Sequence, residues 1–466
     1  MALNNYKKAP AAALGCALML TCAQLAQAFE RTEQREPCAD YSETRKPMFG
    51  DLHVHTSYSF DSYVSSQRND PSAAYTYAKG QAIILSDADG EQTLRAQIER
   101  PLDFTAVTDH AEFLGPINLC TQDSSKAAYW FPACIAGRSS IYIVQLLAAD
   151  YWATIGVVDD STEKEQSFVG PMDDCDAAHK EAWAFIQAAA EKHYDRSAEC
   201  SFSSFHGYEY SNSAARSMIH RNVIFRNERV PELPVSSLEQ SDPIGLWDDL
   251  DKLCNKAGGA CEAISIPHNS NVSNGRTFSI FWREESLAEQ RRRALLRGRY
   301  EPVVEMMQIK GESECKPGMW QVLGEDELCD FEKLRGLRDK MPEDCEDDIG
   351  AGAIMGWGCQ SRLDFARYAL IEGMAEEQRI GINPYRFGFA GSTDTHNASP
   401  GDVDEDAFDG CCAARDATPE GRLGGRDITT EKGFAGRSNA ARNPGGLMGV
   451  WAEENTRDSL FDAMKR

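Results

Sequence analysis

Residues 49–61 read FGDLHVHTSYSFD, and the architecture follows from them. Residues 48–56 alternate in character and end on histidines, the pattern of a strand running into a loop. On a strand, positions i and i+2 face the same way, so His53 and His55 can present both imidazoles to one ion. Asp61 follows six residues on, in a loop rich in Ser and Tyr. Residues 103–110, DFTAVTDH, repeat the theme: a buried strand that ends on Asp109 and His110.

The same punctuation recurs further along. Strands are expected at 204–210, 221–226, 262–267, 302–309 and 386–392, and helices near 177–193, 283–298 and 360–379. Glu209 sits in Gly-Tyr-Glu, His268 follows Pro267, and Asp394-Thr395-His396 repeats the i, i+2 geometry after a buried strand. Strands alternating with helices imply βα units and a parallel sheet. In a parallel α/β barrel the strand ends of one polarity share a face, which would gather these residues into one cluster. A lone His-x-His or Asp-x-His is a weak signal. The joint pattern is strong because residue order, strand placement and ligand type agree. Carboxylate with imidazole suits zinc, manganese or iron better than calcium, which prefers an all-oxygen shell.

The stretches FGDLHVHTSYSFD (49–61), TAVTDHAEFLG (105–115), HGYEYS (206–211), HRNVIFR (220–226), IPHNSN (266–271), QIKGESEC (308–315) and GFAGSTDTHNASPG (388–401) resemble the PHP (polymerase and histidinol phosphatase) superfamily of metal-dependent hydrolases. The resemblance is nearest to its branch called domain of unknown function 3604, and 449–466 is similar to that branch too. The resemblance implies an α/β fold, a distorted (β/α)7 barrel, holding two or three divalent ions (Zn, Mn or Fe). By motif, His53, His55 and Asp394 would hold the first ion. Glu209 would bridge to a second, bound by His268, and Asp61, His110 and His396 would hold a third. A last ligand for the second ion is expected after His268; Glu305 is the first choice and Glu314 the second. The family's chain normally continues past the present end, so a missing C-terminal segment is expected.

A water between two divalent cations loses a proton near neutral pH, so the implied chemistry is attack by a metal-bridged hydroxide on a phosphoester. An amide, lactam or other C–N bond is the alternative target, and a non-catalytic metal-binding protein the alternative class. Glu209, Lys310, His220 and Arg221 are the residues expected to act on a small-molecule substrate; Lys310 or Arg221 would suit an anionic group. Asp51 and Asp109 are expected to orient ligand imidazoles. His206 reads as structural, and His179 and His193 as solvated. No Gly-x-Ser-x-Gly or phosphate-loop pattern competes.

Residues 1–28 read as a secretory leader: Lys7 and Lys8, an apolar run, then Ala26-Gln27-Ala28. A periplasmic or secreted protein follows. Of fifteen cysteines, Cys16 and Cys22 fall in the leader, so thirteen remain for an oxidising compartment. Sequence proximity suggests Cys120–Cys134, Cys175–Cys200, Cys254–Cys261, Cys315–Cys329 and Cys345–Cys359, with Cys411 and Cys412 adjacent and one thiol left over. Residues 29–466 are expected to form one barrel domain, with 112–200 as a cap and 397–446 as a long surface loop. The formal net charge of −25 excludes the basic footprint of a nucleic-acid binder. No stretch past residue 30 is apolar enough to span a bilayer. Oligomeric state is open.

Overall fold

The computed structural model describes residues 31–141, 143–145, 147–148, 151–152, 173–255, 261–316, 328–335, 343–345, 348–423 and 442–466. The expected leader lies outside them. The fold is mixed α/β, built on a curled six-stranded sheet that forms a half-barrel. Strands β1 (Lys46–Asp51), β4 (Phe104–Ala106), β5 (Ser203–Asn212), β6 (Ile219–Phe225) and β7 (Ala263–Pro267) follow one another across it, and β11 (Met448–Ala452) lies outside β1. A hairpin of β2 (Ile83–Ser86) and β3 (Gln92–Ala96) stands apart. A second sheet carries β8 (Val303–Gln308) between β9 (Gly311–Glu312) and β10 (Gly388–Gly391).

The pairing departs from an all-parallel sheet. β1–β4, β4–β5 and β8–β10 are parallel, but β5–β6, β6–β7 and β1–β11 are antiparallel. The cause is visible in the chain: β5 ends at Asn212 and β6 begins at Ile219, too short a link for a crossover helix, so the chain must turn back as a hairpin. The two sheets meet beside β1. Val54 forms a parallel bridge with Thr395, and the His55 N–H donates to the Thr395 carbonyl at 2.9 Å. Both sheets and the C-terminal helix Arg457–Lys465 feed one apolar cluster that includes Leu52, Phe104, Phe205, Ile264, Val303, Ala390 and Phe461. Gly50 is required there: a Cβ would sit 2.3 Å from the Phe104 ring.

Helix Cys175–His193 is capped by Asp174, whose carboxylate accepts from the Ala177 N–H at 3.1 Å. Its apolar stripe of Ala178, Ala182, Trp183 and Ile186 is buried, and it packs on β5. It is therefore the crossover between β4 and β5, so the segment expected as a cap divides in two. The earlier part, around Phe113 and Trp152, stacks on Phe60 beside the site described below. His179 is buried on this helix rather than solvated, and His193 is half-buried and bonded to Ser72. Of the segment expected as a surface loop, residues 397–423 are described; they carry a 3-10 turn at Ala413–Arg415 and a short helix at Pro419–Arg422, and Asn397, Ala398, Ser399, Cys411 and Cys412 are packed inward.

Four expected disulfides form: Cys120–Cys134, Cys254–Cys261, Cys315–Cys329 and Cys345–Cys359. Cys175–Cys200 does not. Cys200 pairs with Cys38, 162 residues away, because the N-terminal segment runs beside 196–198 through backbone hydrogen bonds from Glu36 and Ala39. Cys175 is buried outside any disulfide, against Gly115. Cys411 and Cys412 bond to each other. Such pairs are consistent with an extracellular or periplasmic protein. Among the described residues no helix is long and apolar enough to cross a membrane.

Candidate metal centre

His53 and His55 follow β1, His110 follows β4, Glu209 lies in β5, His220 in β6, His268 follows β7, and Asp394 and His396 follow β10. Antiparallel pairing sets Glu209 opposite Asn222 and Ser211 opposite His220. Alternation then puts Glu209, Ser211 and His220 on one face and Tyr210 with Arg221 on the other.

Glu209 is the centre of the arrangement. Its Oε2 lies 3.2 Å from His55 Nε2, 3.8 Å from His53 Nε2 and 3.1 Å from His110 Nδ1. Its Oε1 lies 2.6 Å from His220 Nδ1 and 3.1 Å from His268 Nε2. Asp394 Oδ1 sits 3.2 Å from His53 Nε2 and 3.1 Å from His55 Nε2. Three of these buried atoms, His53 Nε2, Glu209 Oε2 and Asp394 Oδ1, make no hydrogen bond. A buried polar atom without a partner is costly, and three converging on one point suit a shared cation. Imidazole and carboxylate groups arranged this way could hold a metal ion.

Towards solvent a second group forms. Asp61 Oδ2 lies 2.9 Å from His396 Nε2 and 3.3 Å from His110 Nε2. Ligand atoms of His55, Asp61, His110 and His396 all fall within 4.8 Å of one another. Asp61 is the most open of these side chains, at 31% exposure, whereas His53 and His55 are at 1%.

The surrounding residues fix imidazole orientation. Glu305 Oε2 is 2.9 Å from His53 Nδ1. Ser59 Oγ is 2.8 Å from His55 Nδ1 and donates to Asp109 Oδ1 at 2.7 Å. Ser211 Oγ is 2.6 Å from His110 Nδ1. The His396 Nδ1–H donates to the Asp394 carbonyl at 2.9 Å. The far oxygen of Asp394, Oδ2, accepts from Gln308 Nε2 at 2.6 Å and contacts Lys310 Nζ. Asp394 and Asn269 both hold left-handed backbone, with φ of 55° and 50°, a strained conformation for residues other than glycine.

Charge follows geometry. Burial alone would raise the Glu209 pKa, but His110 and His220 hold it well below the usual carboxylate range. Burial alone would lower His53, yet Glu305 and Glu209 bring it up to about 9. A cation in the cluster would take the place of that proton.

Several expectations need correcting. Glu305 is not on the cluster side of His53; it holds the far nitrogen, and so orients a ligand instead of being one. Glu314 pairs with Arg367 at the surface. Arg221 bonds Glu301 at 2.7 Å and the Ile219 carbonyl behind the sheet, as the strand alternation requires. His220, expected to touch substrate, lies between Glu209 Oε1, 2.6 Å from its Nδ1, and Ser213 Oγ, 3.0 Å from its Nε2; the ligand atoms that converge with Glu209 are those of His53 and His268. Asp51 acts mainly on backbone, accepting from the His53, Thr393 and Gly401 N–H groups, whereas Asp109 reaches the His55 imidazole through Ser59 and also holds Thr56. His206 is structural, 2.7 Å from Glu191 and far from the cluster in its contacts.

A family model described as "Protein of unknown function (DUF3604)" matches residues 42–466. The chain belongs to this family. No curated protein and no solved structure matches it. The span shared with DUF3604 takes in every residue of the cluster, from His53 to His396, and reaches the C-terminal helix.

Proposed function

We propose that this DUF3604 protein is an exported, multinuclear metal-dependent hydrolase of the PHP type, with a phosphoester as its substrate and the closed barrel of that superfamily as its frame. The observation that carries the reading is the division of the Glu209 carboxylate between two sets of histidines, which is what a bridging ligand requires. His53, His55 and Asp394 would hold one ion, Glu209 would bridge it to a second at His268, and Asp61, His110 and His396 would hold a third. Divalent ions there would acidify a shared water and polarise the bond to be cleaved.

The chain's own groups do the rest. Glu305, Ser59 and Ser211 fix the ligand rings before substrate arrives. Lys310, 18% exposed beside Asp394, is placed to hold an anionic group at the mouth. Phe60, Phe113 and Trp152 line the neighbouring wall and keep water from the His110 side. A purely structural metal site is closed by protein ligands; the exposure of Asp61 and Lys310 supports an open one.

The test is a panel of phosphomonoesters, phosphodiesters, amides and lactams against protein stripped with chelator and reloaded with Zn2+, Mn2+ or Fe2+. Metal-dependent phosphate release that disappears in Glu209→Gln supports the reading. Turnover of amides alone would move the assignment to C–N bonds, and no turnover by metal-loaded protein would favour a binding protein.

A further inference from the structure

The outer group, Asp61 and His396, is tied to the loop at residues 410–414. The His396 N–H donates to the Cys411 carbonyl at 2.7 Å. Asn397, the next residue, donates through Nδ2 to the Gly410 carbonyl and accepts from the Ala413 N–H, each at 2.6 Å. The Ala414 N–H reaches the Ser65 carbonyl at 3.1 Å, and Ser65 Oγ donates to the Asp61 carbonyl at 2.6 Å. Residues 410–414 therefore touch the backbone on both sides of the Asp61–His396 pair. The loop itself is tied down. Cys411 and Cys412 are joined by a disulfide between neighbours, with Cα atoms 3.8 Å apart. The Asp416 carboxylate accepts from both their N–H groups, at 2.9 and 2.8 Å. Ile309 packs against both cysteines and Phe408 covers them. Gly410 has φ +95°, and a Cβ there would lie 2.7 Å from the Asp416 carbonyl oxygen.

We propose that the Cys411–Cys412 disulfide is a positioning brace for His396 and Asp61, holding the solvent-facing ion site in shape. The inference rests on the metal-site reading above. The physical reason is conformational entropy. A bond between adjacent cysteines closes a small ring around the intervening peptide, so the turn presenting the Cys411 carbonyl has little freedom left to lose when an ion binds. Without it, His396 hangs from an irregular segment, and binding must order that segment first. The inner ligands hang from strand ends and do not depend on the ring.

The experiment is calorimetric titration of the chelator-stripped full chain with Zn2+ and, separately, Mn2+. In C411A/C412A the weakest class of sites should lose about tenfold in affinity, the scale of loss for residues that orient metal ligands, with the tighter sites unchanged. The same pair of substitutions in a His396→Ala background should cost nothing further. C120A/C134A, which removes a disulfide in the cap, should bind as the wild type does. Equal binding by C411A/C412A overturns the brace, and so does a loss spread over all sites or one that adds to that of His396→Ala. If C411A/C412A does not fold, Asn397→Ala cuts the same connection and should weaken the same class; unchanged binding there overturns the proposal. A wild-type chain that takes up neither ion overturns the metal reading and the brace together, whereas ions bound alike by every variant overturn the brace alone.

Discussion

The inner and outer parts of the histidine cluster are built in different ways. His53, His55, Glu209, His268 and Asp394 stand on or directly after strands, are almost wholly buried, and have orienting partners such as Glu305 and Ser59. Asp61 stands in the short helix Phe60–Tyr63 and His396 on a loop; both are more exposed than the inner residues and are tied through backbone contacts to 410–414. Under the proposed function the inner part would hold ions on a rigid frame, and the outer part would admit substrate, where adjustment is least costly.

This contrast can be broken in order of severity. Glu209→Gln removes the carboxylate shared by both sets of ligands, so it should abolish measurable turnover and remove the bridged ions. Circular dichroism should remain that of the wild type, because the amide keeps the side chain's shape. His396→Ala should strip only the outer site. Elemental analysis should then find the inner ions retained, with turnover reduced at least ~100-fold, the upper end for loss of metal support. Retention of every ion would erase the division between the two parts.

A gentler change sharpens the comparison. Glu305→Gln leaves all direct ligands in place but weakens the hold on His53 Nδ1. Inner-site affinity should fall roughly 10-fold, visible as a lower chelator concentration for half-removal of metal, with the outer site unaffected. Equal loss at both would show that the parts are mechanically coupled.

A further effect, on folding stability and not on metal binding, concerns a buried histidine with no carboxylate against it. His179 has Nε2 without a hydrogen bond, and burial pushes its pKa down to about 4. Its neutral form is favoured in the folded chain, so its contribution is fully present above the ordinary value near 6.5 and is lost as pH falls through about 4. That contribution is about 2–3 kcal/mol between about pH 7 and about pH 4.5. His179→Leu should therefore show a smaller drop in urea midpoint over that range than the wild type. An identical drop would mean that His179 is solvated after all, as its polar helix suggested.

Much of this was legible in the sequence because strand ends and metal ligands share short, local signals. His53-x-His55 and Asp394-x-His396 announce themselves beside strand ends, and the structure does bring them together, with Val54 bridging Thr395, although Asp394 holds left-handed backbone in place of an extended strand. What was not legible depends on pairing. Arg221 and His220 are neighbours in sequence and both were expected to act on substrate, but the pairing of β6 with β5 puts only His220 on the Glu209 face. Glu305 was read as a ligand because residue type cannot say which imidazole nitrogen it faces. Cys200 found Cys38 instead of Cys175 because a long-range strand of backbone contacts, invisible to local spacing, carries the N-terminal segment past it.

The most direct measurement is the number of divalent ions per chain. Purified protein should be stripped, reloaded with Zn2+ or Mn2+, freed of excess ion and assayed by elemental analysis beside Glu209→Gln. The account predicts two or three ions in the wild type and a clear loss in the variant. A wild-type chain that retains no ion, or a Glu209→Gln chain that retains as many, would contradict it.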